Sequence, residues 1–179
     1  MQTPDLPHAP EFDPDSSEPQ SEELLAAAIT RIEGEIAELQ FDRFTAADAL
    51  ALGFRLVELG TGRNLPIAIH IGRGDQTVFH VALDGATYDN DLWAAAKSRT
   101  ALRYAEPSLL VGLRARRGGG RPEDNPMLDP ALYAAHGGAF PLYVRGVGPV
   151  AVVTVSGLPQ VADHDLVVEA LRSWQGEAS

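Results

Sequence analysis

His136-Gly137-Gly138-Ala139-Phe140-Pro141-Leu142, followed by Val152-Val153-Thr154-Val155-Ser156-Gly157-Leu158-Pro159-Gln160 and then Asp163-His164, is the stretch on which the fold turns. Two short apolar runs, at about 140–145 and 149–155, read as strands, and the glycines around them mark backbone that bends or lets another group approach closely. Asp163 then opens a C-terminal helix that carries Leu166, Val167, Ala170, Leu171 and Trp174 on its inward face. Two of the five histidines fall in this stretch, which places titratable groups beside permissive backbone.

Upstream, Pro66 to Ile71 alternates Ile67, Ile69 and Ile71 with Ala68 and His70, and Gln76 to Leu83 alternates Val78, His80 and Ala82 with Phe79, Val81 and Leu83. Both runs read as strands, joined by the hairpin Gly72-Arg73-Gly74-Asp75. The register leaves one question open. With Ile71 opposite Gln76, His80 shares a face with Ile67 and not with His70; a bulge at Gly72 or Gly74 reverses this.

Before these strands, Leu25, Ile29, Ile32, Ile36 and Leu39 form one helical stripe, a seam for the sheet or for a second subunit. Thr45 is an N-cap with Asp48 completing a variant capping box, and that helix is expected to run to Leu59 and stop at Gly60. After the hairpin, Asp89 is the expected N-cap of a helix from Asn90 to about Tyr104. Its stripe of Leu92, Ala95, Arg99 and Leu102 leaves Arg99 either snorkelling to water or reaching a buried anion or interface. Arg114 to Pro126, with three consecutive glycines, reads as a mobile loop, and Asp129-Pro130 as the cap of a short helix ending at His136-Gly137-Gly138. The resulting order is helix, helix, strand, strand, helix, strand, strand, helix. It predicts an α+β fold, a single antiparallel β-sheet flanked by α-helices.

The 179 residues fit one domain at 21–179 behind a tail at 1–20. The tail holds five prolines and five acids and reads as disordered, so deleting it is expected to leave the melting temperature unchanged. Much of the net charge of −11 is its doing: without residues 1–23 the chain has 18 acids against 14 bases. A general nucleic-acid surface is not expected. Half the basic residues nevertheless cluster as Lys97, Arg99, Arg103, Arg114, Arg116, Arg117 and Arg121, either a solvated face paired with distant acids or a local anion site.

No cysteine is present, which excludes disulfides, thiolate metal sites, cysteine nucleophiles and covalent haem attachment. No signal peptide or membrane span is legible, and a cytoplasmic location is expected. Gly-x-Ser-x-Gly, His-Glu-x-x-His and P-loop patterns are absent. Asp163-His164-Asp165 looks like a metal cluster, but consecutive side chains at a helix start fan apart, and the acids there suit capping. His136 either ends a helix by meeting its carbonyls or faces a pocket made with Gly137 and Gly138. His70 and His80 read as strand histidines with local partners, or as ligands. Trp93 and Lys97, four apart, have the spacing of a cation–π pair.

From about Leu39 to Trp174 the chain resembles the HbpS/GlcG-like haem-degrading-domain family, in its largely uncharacterised branch. The resemblance rests on Leu65-Pro66-Ile67-Ala68-Ile69, Phe79-His80-Val81-Ala82-Leu83 and Asp89-Asn90-Asp91-Leu92-Trp93. It continues through Tyr133-Ala134-Ala135-His136-Gly137-Gly138-Ala139-Phe140-Pro141, Arg145-Gly146-Val147-Gly148 and Val155-Ser156-Gly157-Leu158-Pro159-Gln160, and closes with Asp163-His164 and Leu166–Leu171. Where close relatives often carry Arg-Lys-Arg after the tryptophan, this chain has Ala94-Ala95-Ala96-Lys97-Ser98-Arg99, which thins the positive charge.

The resemblance implies a profilin- or PAS-like sheet, a symmetric homo-oligomer and haem as a candidate ligand. Haem asks for an axial ligand, an apolar slot and cations for its propionates. His70, His80, His136 and His164 can offer the first, Arg99 and Arg103 the last. The expected ligand-binding residues are His80, Arg99, Arg103, His136, Gly137, Gly138 and Ser156, with no catalytic residue assigned and any metal ligand left open. The leading reading is an oligomeric protein binding haem or another small anionic metabolite, without nucleic acid or membrane. An enzyme acting on haem or a small acid is the second reading. A structural adaptor using the 25–39 seam is the third.

Overall fold

The computed structural model describes residues 13–15, 21–121 and 124–177. The elements are α1 (Glu22–Glu38), β1 (Gln40–Phe41), α2 (Ala46–Gly62), β2 (Ala68–Arg73), β3 (Gln76–Ala82), α3 (Tyr88–Tyr104), α4 (Ser108–Arg117), β4 (Ala139–Val144), β5 (Gly148–Ser156) and α5 (Gln160–Glu177). One five-stranded sheet has the order β1-β4-β5-β2-β3. The four long strands pair antiparallel as expected, and the two-residue β1 adds a parallel edge against β4.

The alternation of the strands sorts the two faces. Ile69, Ile71, Phe140, Leu142, Val153 and Val155 point to one side, where Leu52 and Leu56 of α2 and Leu166, Val167 and Leu171 of α5 close a buried core. This layer supplies most of the apolar burial, at roughly 25 cal/mol per Å². α3 crosses the opposite face, where Ala101 meets Ala139 and Val152. Small residues let it lie close, and Ser98 Oγ sits 2.6 Å from Thr154 Oγ1 on β5.

Several local expectations hold in detail. Thr45 caps α2 and Asp48 completes the capping box, its carboxylate accepting from the Thr45 N–H at 2.7 Å. The register question resolves through a bulge between Ile71 and Gly72, which sets His70 directly across from His80. The expected stop of α2 at Gly60 is corrected: the helix runs to Gly62, and Gly60 is a packing position, where a Cβ would lie 2.4 Å from Leu83 Cδ1.

Others are corrected. Thr87, not Asp89, is the N-cap of α3, with Asn90 Oδ1 accepting from the Thr87 N–H at 2.7 Å. The buried face of α3 is Ala94, Ala96, Lys97, Thr100 and Ala101, while Leu92 and Leu102 are exposed. The expected loop at 114–126 begins as helix α4, and residues 129–136 form turns and extended chain rather than a helix. The seam of α1 is covered: Leu25, Ile29 and Ile32 pack on Leu109, Leu110 and Leu113 of α4, so the surface required by the adaptor reading is buried.

Most of residues 1–20, on which the disordered tail was expected, lies outside the described residues. Asp15 is described, and its carboxylate accepts from the Gln160 N–H at 3.2 Å and from Gln160 Nε2 at 2.6 Å, at the start of α5. Among the described residues no helix is long and apolar enough to cross a membrane.

Candidate ligand-binding cleft

α3, α4 and the segment 130–136 enclose a cleft of about 480 Å³. α3 contributes Leu92, Trp93 and Ala96, and α4 contributes Gly112 and Arg116. Ala131, Tyr133 and His136 come from the segment after α4, and Arg121 and Asp89, the latter in the first turn of α3, also line it. The size lies in the range of small-molecule sites, and the lining has their character, apolar walls with a few polar groups.

His136 is set in place through its backbone. Ser108 Oγ donates to the His136 carbonyl at 2.5 Å and accepts from the Ala139 N–H at 3.1 Å, tying the start of α4 to the start of β4. The Gly137 N–H donates to Gln160 Oε1 at 3.3 Å. Glycine is required at 138, where φ is +126° and a Cβ would lie 2.3 Å from the Val155 carbonyl oxygen. The His136 ring meets Trp93 edge-on, with centroids 5.2 Å apart at 73°.

Beneath this loop is a charged pair. Lys97 Nζ donates to Asp163 Oδ2 at 2.7 Å, and both side chains are buried. Asp163 also accepts from the Leu158 N–H at 3.0 Å and the Gly157 N–H at 3.4 Å. Burial pushes the Asp163 carboxyl up, against the pull of Lys97 and those two donors. Lys97 therefore turns inward to the ion pair, away from the partnership with Trp93 that its spacing suggested.

The basic cluster divides by role. Arg114 pairs with Glu33 at 2.7 Å and with Glu106, and Arg117 with Glu22 at 3.0 Å, as a solvated face would. Arg99 donates to the Leu132 carbonyl at 3.1 Å, and the Arg103 guanidinium lies 5.6 Å over the Tyr133 ring. These two arginines brace the outer wall of the cleft without lining it. Arg116 and Arg121 do line it; Arg116 makes no ion pair among the described residues, and Arg121 has a long one, 3.4 Å to Asp124.

Of the residues expected at a ligand site, only His136 lines the cleft. Gly137 and Gly138 shape the loop behind it. Ser156 is buried on β5 opposite Ala68. His80 lies on the edge strand β3, its Nε2 2.9 Å from Asp91 Oδ1 and its ring 6.3 Å from that of His70. Asp163-His164-Asp165 is dispersed: His164 pairs with buried Glu35 at 2.8 Å and Asp165 with Arg31 at 2.7 Å. Among the described residues no group of three or more His, Asp or Glu is arranged to hold a metal ion. The sequence reading missed Arg116, Arg121 and Tyr133 as cleft residues, because without α4 nothing brings 112–121 against 130–136. The one available signal was the basic cluster, whose members do not share one fate.

Comparison with known proteins agrees with this fold. A UPF0303 protein of Streptomyces coelicolor is 53% identical over 152 residues, covering 85% of this chain and 96% of the relative. A UPF0303 protein of Burkholderia thailandensis is 47% identical over 140 residues, covering 78% and 85%. Among solved structures, the Ybr137w protein superposes with a TM-score of 0.76 at 29% identity, over 88% of this chain and 96% of that one. A PduOC–heme complex shares the fold with a TM-score of 0.63 at 16% identity, over 73% and 94%. Residues 44–172 match the family described as haem degrading protein HbpS-like, and the chain belongs to that family.

Proposed function

We propose, with this family membership as the premise, that the protein is a homo-oligomeric binder of a small, largely apolar anion, with haem the leading candidate, and that the ligand sits in the His136 cleft. The observation that carries the reading is the meeting of an imidazole and an indole with two guanidiniums, Arg116 and Arg121, in one cavity of about 480 Å³. The residues present fit haem. Trp93, Leu92 and Ala96 would offer apolar wall, His136 an imidazole nitrogen to hold the iron, and the two arginines partners for carboxylates. Bound there, haem would supply an iron centre held by a histidine, and the chain's own residues would orient the ring and neutralise its propionates. Large apolar side chains left outside, Phe54 and Tyr88 among them, favour self-association.

Hydrogen exchange with and without haemin tests the location. Slower exchange concentrated in 92–96 and 131–138 is expected. Protection confined to the β3 edge around His80 would overturn the assignment to this cleft.

A further inference from the structure

Gln160, the first residue of α5, is buried and holds two parts of the chain at once. On one side its backbone N–H and its Nε2 both donate to the Asp15 carboxylate, at 3.2 Å and 2.6 Å. On the other side its Oε1 accepts from the Gly137 N–H at 3.3 Å, one residue from the histidine of the cleft. A single carboxamide thus links Asp15 to the backbone behind His136.

The donors and acceptors leave this carboxamide one orientation. An ionised carboxylate only accepts and a backbone N–H only donates, so Nε2 faces Asp15 and Oε1 faces Gly137. The Asp15 end has the shorter contacts, and hydrogen bonds to an ionised partner are about twice as strong as neutral ones. Without Asp15, among the described residues only the longer Gly137 contact would orient the amide. The loop itself is tightly seated: a Cβ on Gly137 would lie 2.0 Å from the Gln160 carbonyl oxygen. Backbone packed this closely passes a displacement on to its neighbours.

We propose that Asp15 is a positioning residue for the His136 cleft. Through the Gln160 carboxamide it fixes Gly137, and with Gly137 the setting of the His136 imidazole against Trp93. The proposal rests on the reading of that cleft as the ligand site. It deepens that reading by making ligand affinity depend on a side chain that does not line the cleft.

The test uses the full chain and two readouts: amide hydrogen exchange at Gly137 without ligand, by NMR, and haemin affinity by Soret absorbance. Asp15→Asn sets an amide N–H against one of the Gln160 donors, and Gln160→Glu sets a carboxylate against a carboxylate. The double variant restores the pairing with its polarity reversed. Its new amide donates to the new carboxylate and accepts from the N–H of residue 160, while that carboxylate still accepts from Gly137. Each single variant should speed Gly137 exchange and weaken haemin binding by about fivefold or more, and the double variant should recover most of both. Asp48→Ala, which removes the capping box of α2, should lower stability and leave both readouts unchanged. Unchanged Gly137 exchange in Asp15→Asn, or no recovery in the double variant, would overturn the proposal. So would wild-type haemin affinity in single variants whose Gly137 amide exchanges faster. A wild type without a saturable Soret shift would overturn the haem reading, and Gly137 exchange would then decide the positioning of the loop by itself.

Discussion

Lys97 Nζ and Asp163 Oδ2 stand 2.7 Å apart with both side chains buried, joining α3 to the start of α5 beneath the His136 loop. The pair does its work by position: a Cβ on Gly138 would lie 3.1 Å from Lys97 Nζ, so the glycine loop is moulded over it.

Lys97→Met leaves Asp163 buried without its cation and should destabilise the fold by about 3–5 kcal/mol in urea unfolding. Lys97→Met combined with Asp163→Asn should recover the greater part of that loss. The neutral amide oxygen still accepts from the Leu158 N–H, and no lone charge remains. A double variant no more stable than the single one would show that the loss is of packing and not of charge compensation.

His70 gives the fold a pH dependence whose sign can be worked out. Burial first, and then the neighbouring His80, hold it below the ordinary histidine value of 6.5, against the opposing pull of Asp91. The unfolded chain therefore takes up a proton that the folded protein resists. Stability should fall as pH drops below about 6.5, until the folded-state value is reached. Melting temperatures between about pH 7 and pH 5 should show this slope in the wild type and a shallower one in His70→Gln. An equal slope in both proteins would remove His70 from the account.

Asp15 supplies a test of the expectation for the tail. Its carboxylate caps α5 through the Gln160 N–H and Nε2, the kind of contact worth about 1 kcal/mol. Asp15→Ala should therefore lower the melting temperature, and deletion of residues 1–20 should lower it at least as far. An unchanged value in both would restore the view of a tail that contributes no packing.

The elements with strong periodicity or caps were legible: the stripe of α1, the Thr45 box, the 66–83 hairpin and the inward face of α5 all follow from residue spacing. α3 was legible in extent and misread in orientation, because alanine at 94, 96 and 101 is a weak apolar signal beside Leu92 and Leu102. These larger residues face outward because the sheet needs small side chains to let the helix approach. α4 was lost to the arginines and glycines that follow it. With it went the partner of α1 and one wall of the cleft. The glycines of 137–138 were rightly singled out as a close approach of backbone, and the groups that approach are the Gln160 and Val155 carbonyls. The Lys97–Asp163 pair joins positions 66 residues apart, a distance that no local pattern spans.

The most direct measurement of the central claim is a haemin titration followed by Soret absorbance, on the wild type, His136→Ala and His80→Ala. The cleft reading predicts a saturable shift in the wild type and in His80→Ala, and affinity weakened by more than about fivefold in His136→Ala, beyond the loss of a single hydrogen bond. No saturable shift in the wild type, or wild-type affinity in His136→Ala, would contradict it.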